Sequence, residues 1–292
     1  MSTPHRPPVE ARVYVPAPGE TCDVELMPAG DVTEGVVRVG GTIRRPHQSQ
    51  SLAVAAYLDW LEDAGFDGSP RFLGRDAQGR DVLTFLPGAC AGAEPESWVQ
   101  SEELLASVGR LVRRLHGASA GFVPDAHPFP DRPFPVPDSG ATASAAADGP
   151  VLVCHLDVTP QNVVVRDGLA LGLVDFDLAG PATALRDSYN AAMHWVPLRA
   201  PEDVWPGWAD TDPFRRLRIF ADAYGWTPEE RRRVPALGIE AAELSYGRMQ
   251  ERARTLGGGW ARMWDEGVGG LILRRRDWLE ANAGRLLEAL SG

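Results

Sequence analysis

A chain of 292 residues, 44% hydrophobic and 24% charged, carries enough apolar surface for one large domain or two lobes and has the composition of an ordinary soluble globular protein. Its formal net charge of −11 argues against a nucleic-acid partner, and no apolar run approaches the length of a membrane span. Cys22, Cys90 and Cys154 are odd in number and far apart, which suits neither a disulfide framework nor a zinc site and makes a reducing cytoplasm the expected compartment.

The first 20 residues lack the apolar stretch of a signal peptide and read as a frayed arm. In VVRV-GG-TIRR, residues 36 to 45, two glycines between β-type runs predict a hairpin. SLAVAAYLDWLED, residues 51 to 63, predicts a helix ended by Gly65. RFLG, a polar turn at Asp76–Arg80 and DVLTFLPG then predict a second strand pair, closed at Pro87-Gly88. Beyond Ser97, Leu104, Leu105, Val108, Leu111, Val112 and Leu115 recur at helical spacing. Residues 123–150 hold seven prolines and the tract ATASAAADG, and read as a long surface loop. A mainly helical half follows, with an N-cap, a first-turn proline and a capping-box glutamate in Thr227-Pro228-Glu229-Glu230. The expected organisation is α+β in two lobes: a small β-rich lobe over residues 1–87 and a larger helical lobe over 88–292.

The polar residues concentrate in HLDVTPQNVVVRDGLALGLVDFD, residues 155 to 177. Two apolar β runs, 162–165 and 169–174, flank the turn Arg166-Asp167-Gly168, so Asn162 and Asp175 are expected side by side at the open end of a hairpin. Asp157 precedes Asn162 on a loop held by Pro160. An amide and a carboxylate are hard oxygen ligands suited to Mg²⁺, which completes its shell with water and substrate phosphates. Asp157, outside that pair, is placed to accept the proton of an attacking hydroxyl, the division of labour of phosphoryl-transfer enzymes. Any one of these acids read alone is an ordinary turn or strand-end residue; the spacing of all three is specific. His155 reads as a structural histidine that fixes the loop. Asp177 shares the cleft with Asp175 if the chain turns after it, and faces away if the strand continues.

This segment resembles the aminoglycoside phosphotransferase family, small-molecule kinases with a protein-kinase-like fold. His155-Leu156-Asp157-Val158-Thr159-Pro160-Gln161-Asn162 matches the family's H-x-D-x-x-P-x-N loop, Val174-Asp175-Phe176-Asp177 its I-D-F/W-x segment, and Asp187 stands before a helical start. The resemblance is close from 151 to about 198 and loose in the first lobe. It implies that Asp157 is the catalytic base, that Asn162 and Asp175 hold Mg²⁺ on the nucleotide phosphates, that Asp187 braces the loop, and that backbone groups of Thr84 and Leu86 face the adenine. Leu156 stands where protein kinases proper carry arginine, and neither D-F-G nor A-P-E is present.

Kinases grip the α- and β-phosphates with a strand lysine held by a helix glutamate. All 29 basic residues of this chain are arginine. Arg44 and Arg45 end the strand in the expected lobe, and an arginine can bind phosphate bidentately; Arg45, which closes the strand, is the preferred candidate. The following helix has no acid before Asp59. AGDVTEG, residues 29 to 35, stands where a phosphate-covering loop belongs, with Thr33 as its one side chain able to reach a phosphate. Arg231–Arg233 and Arg274–Arg276 read as solvated helix faces, and most of the seven tryptophans beyond residue 190 as core.

The expected activity is Mg²⁺-dependent transfer of a γ-phosphoryl group, from ATP rather than GTP, to a hydroxyl of a small molecule such as an antibiotic or natural-product intermediate. A nucleotide-binding pseudokinase without turnover and a phosphohydrolase built on Asp175-Phe176-Asp177 are the alternatives.

Overall fold

A computed structural model describes residues 6–17, 19, 23–27, 35–124 and 149–292. Thr33 and most of the segment around it lie outside the described residues, as do residues 125–148 of the expected surface loop. The short strands of the first lobe are β1 (Val24–Leu26), β2 (Val37–Val39), β3 (Thr42–Arg45), β4 (Phe72–Arg75) and β5 (Asp81–Thr84). They form one antiparallel sheet in the order β1-β2-β3-β5-β4. The expected hairpin is β2–β3, turning at Gly40 and Gly41. Helix α1 (Ser51–Asp63) buries Val54, Tyr57, Leu58 and Leu61, the spacing of a single helical face, and Gly65 leaves it at φ +78°, a conformation natural to glycine.

The N-terminal arm departs from the sequence reading. Arg12 donates to both carboxylate oxygens of Asp59, at 3.0 and 2.7 Å, and to the Phe72 carbonyl at 2.9 Å. Val9 is buried with Ala55 and Phe72, and Val13 bridges to Arg75 at the sheet edge. Residues 6–14 are therefore tied to the lobe, because an ion pair and an apolar anchor offset the entropy of ordering a terminus. Asp59 is consequently engaged by the arm rather than by Arg45.

The chain crosses between lobes at Pro87-Gly88. A Cβ at Gly88 would sit 2.5 Å from Val164 Cγ1 and 2.6 Å from the Val165 carbonyl, so only glycine permits this approach. Ala89 and Val165 then exchange backbone hydrogen bonds at 2.9 and 2.8 Å. Helix α2 (Glu102–Ser119), capped by the Ser101 hydroxyl, buries the predicted leucine and valine stripe and crosses the centre of the second lobe. Around it lie β6 (Val151–Cys154) paired with β9 (Gly180–Thr183), the hairpin β7 (Val163–Arg166) and β8 (Leu169–Leu173), and α3 (Ala184–Trp195). The β6–β9 pair joins segments with no local turn between them, which periodicity does not predict. Helices α4 (Pro213–Tyr224), α5 (Pro228–Thr255), α6 (Gly258–Asp265) and α7 (Val268–Ser291) complete the lobe, and the Thr227–Glu230 capping box opens α5 as predicted. Trp195, Trp208 and Trp226 are core; Trp205, Trp260, Trp264 and Trp278 are partly exposed. Arg275 is buried, unlike the solvated face expected of its segment.

Candidate active site

The β7–β8 hairpin sets the site. Its turn places Asp167 at φ +53° and Gly168 at φ +76°, the paired positive φ of a two-residue hairpin turn. At its open end Val174 donates its N–H to the Asn162 carbonyl at 2.9 Å, so Asn162 and Asp175 stand on adjacent chains as the spacing predicts. Asp175 takes a left-handed conformation, φ +60° and ψ +68°, and turns the chain into a single helical turn over Phe176–Leu178. That turn settles the position of Asp177, which lies in the same cleft as Asp175.

Asn162 Nδ2 donates to the Asp157 carbonyl at 3.0 Å and to its carboxylate at 2.7 Å. Both amide hydrogens are thereby directed at Asp157, and the amide oxygen is directed away from it. Asp175 is exposed to the cleft, with its side chain 44% accessible. An outward amide oxygen beside an open carboxylate is a hard donor set that fits Mg²⁺.

His155 lies beneath the loop. Burial is the largest influence on its ring and pulls the pKa below its ordinary value, against the opposing charge of Asp187. The neutral ring with its hydrogen on Nε2 satisfies both of its contacts: Nε2 donates to the Val174 carbonyl at 3.0 Å, and Nδ1 accepts from the Asp157 N–H at 3.3 Å. His155 thus ties the loop carrying Asp157 to the strand end carrying Asp175. Leu156 is held at φ +64°, an unfavourable conformation for a side chain with a γ-branch. Asp187, at the start of α3, stabilises it by accepting from the His155 and Leu156 N–H groups at 3.3 and 2.8 Å.

Asp187 also accepts from His116 Nε2 at 2.8 Å, and His116 Nδ1 meets the Tyr224 hydroxyl at 2.7 Å. Burial by itself raises the Asp187 carboxyl, but His116, His155 and the backbone donors more than offset it and hold the group below the usual carboxylate range. Sequence reasoning missed His116. Its signal was available: the histidine follows Leu115 on the buried stripe of α2, one turn after Val112, where a polar ring needs a partner.

Strand β3 splits the arginine pair, because successive side chains point to opposite faces. Arg45 enters the cleft, 3.4 Å from Asp175 and in contact with Asp177. Burial lowers its pKa, yet Asp177 and then Asp175 outweigh that influence and raise it above the ordinary arginine value. Arg44 points the other way, 3.6 Å from Asp76 and over the Tyr14 ring, and does not reach the cleft. The expectation that either arginine could serve is therefore narrowed to Arg45. At the lobe junction Thr84 donates its N–H to the Arg71 carbonyl at 3.0 Å, and Phe85 donates to Gly41 at 2.9 Å. The Thr84 N–H is thus used within the sheet. Leu86 is half-buried between the lobes, close to Gly172.

A family model described as "Phosphotransferase enzyme family" matches residues 139–233, the stretch that holds this loop, hairpin and Asp187. The trifolitoxin immunity protein of Rhizobium leguminosarum bv. trifolii is 30% identical over 214 residues, spanning 71% of this chain and 76% of that one. Among solved structures, a choline/ethanolamine kinase family protein from Mesorhizobium loti superposes with a TM-score of 0.59 at 22% identity, covering 94% of each chain. The GDP complex of aminoglycoside 2′-phosphotransferase-IIIa gives a TM-score of 0.53 at 14% identity, covering 92% of each. The fold is thus the protein-kinase-like, two-part α+β fold of these enzymes, and the chain belongs to the phosphotransferase enzyme family.

Proposed function

We propose that the protein transfers the γ-phosphoryl group of a nucleoside triphosphate, ATP in preference to GTP, to a hydroxyl of a small molecule. The observation that carries this reading is the joined set of Asp157, Asn162, Asp175 and Arg45. Asp157 is oriented by Asn162 Nδ2 at 2.7 Å and accepts the proton of the attacking hydroxyl. The Asn162 amide oxygen and the Asp175 carboxylate would hold Mg²⁺, which when bound would supply neutralisation of charge on the phosphate oxygens. Arg45 takes the part of the strand lysine. Its guanidinium lies against Asp175 and Asp177 and faces the cleft, where a planar fork binds two phosphate oxygens at once. The two acids keep the guanidinium charged and aimed into the cleft, the task of a helix glutamate in other kinases. Residues 1–87 form the nucleotide-binding lobe, with the Thr84 carbonyl and Leu86 facing the base, and residues 88–292 the catalytic and acceptor-binding lobe.

The intact base and ligand set speaks against a pseudokinase, and Arg45 between Asp175 and Asp177 speaks against an acidic-pair phosphohydrolase. Similarity to a protein named for immunity to trifolitoxin supports a protective role against a toxin. The test is nucleotide turnover with pools of hydroxylated metabolites, followed by ³¹P NMR of the product. The proposal expects a new phosphate monoester and nucleoside diphosphate in equal amounts, both absent in Asp157→Ala. Phosphate release without a monoester in every pool contradicts it.

A further inference from the structure

Helix α3 starts at Asp187 and ends beside a second group of charges. Trp195, in its last turn, donates its indole N–H to the Val158 carbonyl at 2.9 Å, next in sequence to Asp157. Four residues later Arg199 is only 5% exposed, lies over the Trp205 ring at 4.4 Å, and has no acceptor for its Nε among the described residues. Arg275 from α7 is 8% exposed; among the described residues its Nε is also without an acceptor, and one terminal nitrogen meets the Met193 thioether at 2.8 Å. On the neighbouring turn of α3, the Tyr189 hydroxyl and the Asn190 amide oxygen are buried without partners among the described residues.

Among the described residues counter-charge is short here. Asp203 is the described carboxylate whose field reaches both arginines, and each of its oxygens already accepts from Arg274, at 2.9 and 2.5 Å. Burial and the charge of Arg275 lower Arg199 to about 10, and burial with both arginines pushes His194 down to about 3. Buried guanidinium groups with open donors and too little negative charge are unfavourable unless something anionic completes them. Arginine is also the side chain whose donor fork matches carboxylate and phosphate oxygens.

We propose that Arg199 and Arg275 bind an anionic group, carboxylate or phosphate, carried by the phosphoryl acceptor itself, with the Tyr189 hydroxyl available to its polar atoms. This rests on the phosphotransfer reading and adds the acceptor's class: a hydroxyl-bearing acid rather than a polycation. The chain's overall negative charge does not govern the choice, because this part of the lobe is locally cationic. The anion anchors the molecule on the α3 side of the catalytic loop, and its hydroxyl reaches Asp157.

The experiment is a thermal-shift titration at constant ionic strength with gluconate, glycerol 3-phosphate, sorbitol and glucosamine, Mg²⁺-ATP being run on the same plates. The proposal expects gluconate or glycerol 3-phosphate to raise Tm by several degrees in the wild type and in Arg45→Gln, which removes the nucleotide-site cation. Sorbitol and glucosamine have no such effect, and Arg199→Gln and Arg275→Met abolish the anion response. The two anions separate a carboxylate site from a phosphate site. NMR titration of His194 in the wild type supplies a readout independent of the variants: its pKa rises when the anion binds. The proposal is overturned if neither anion shifts the wild type, if glucosamine shifts it instead, or if the anion response survives both substitutions. A normal Mg²⁺-ATP response with no anion response overturns this inference alone. An anion response without any nucleotide response overturns the phosphotransfer reading and leaves an anion site.

Discussion

Arg45 at the end of β3 stands 3.4 Å from Asp175 at the end of the β7–β8 hairpin, so the two lobes meet through the charge proposed for the phosphates and a carboxylate proposed for the metal. The guanidinium is buried there and held by Asp175 and Asp177.

Removing that guanidinium is expected to weaken nucleotide binding more than chemistry. A hydrogen bond to a charged group contributes about 1.5–3 kcal/mol, so Arg45→Ala should raise the nucleotide Kd about 10- to 150-fold. Arg45→Lys should recover part of the affinity, because a point charge replaces a fork. Equilibrium titration with a fluorescent nucleotide measures both; equal affinity in wild type and Arg45→Ala would remove Arg45 from the site.

Asp157 should show the opposite pattern. General-base catalysis contributes about 10²–10⁴-fold, and Asp157→Asn should lose turnover on that scale while its nucleotide Kd stays near wild type. Steady-state kinetics beside the same titration separates the two parameters. Loss of both together would place Asp157 in binding rather than in proton transfer.

Asp187 is a structural carboxylate. Asp187→Ala leaves His116 Nε2 and the His155 and Leu156 N–H groups without their acceptor. Leaving a buried donor without its acceptor typically costs about 1–3 kcal/mol. Urea denaturation should show a loss of that order, with Asp187→Asn losing less because an amide oxygen still accepts.

Stability should fall as the medium is acidified below neutrality. His155 and His194 both have lowered pKa values in the folded protein, with His194 near about 3. Their unfolded pKa is about 6.5, so below that value the unfolded chain binds more protons and stability is lost as pH falls. Asp187 adds its own loss only below the ordinary aspartate value of about 3.9. Tm measured from pH 7 to pH 4 should therefore decline, and His194→Gln should flatten the decline. An unchanged slope in that variant would contradict the depressed His194.

What the sequence discloses and what it conceals follow contact distance along the chain. Asn162, Asp175 and the turn between them form one local hairpin, so alternation and a turn signal suffice to bring them together. Asp177 was ambiguous because periodicity cannot show whether a strand stops at Asp175; its left-handed backbone decides that. The Arg45–Asp177 contact joins two lobes, and the parity of β3 chooses Arg45 over Arg44 only once its faces are known. Arg12 on Asp59, His116 on Asp187, and Arg275 beside Met193 join distant segments, and no local pattern announces them. The run Arg274–Arg276 shows the limit plainly. Three consecutive arginines spread around a helix axis and read as solvated, yet the helix turns Arg275 inward and leaves Arg274 and Arg276 outside.

The central claim is tested most directly by a thermal-shift titration with Mg²⁺-ATP, Mg²⁺-GTP and each component alone, in wild type, Asp175→Ala and Arg45→Ala. A ligand at a hundred times its Kd adds about 2.7 kcal/mol of stability, enough to read. The account predicts that Mg²⁺-ATP raises Tm more than Mg²⁺-GTP, that ATP without Mg²⁺ does so weakly, and that both substitutions remove most of the shift. A wild type unmoved by either nucleotide at millimolar concentration would contradict it, as would a shift that both variants retain in full.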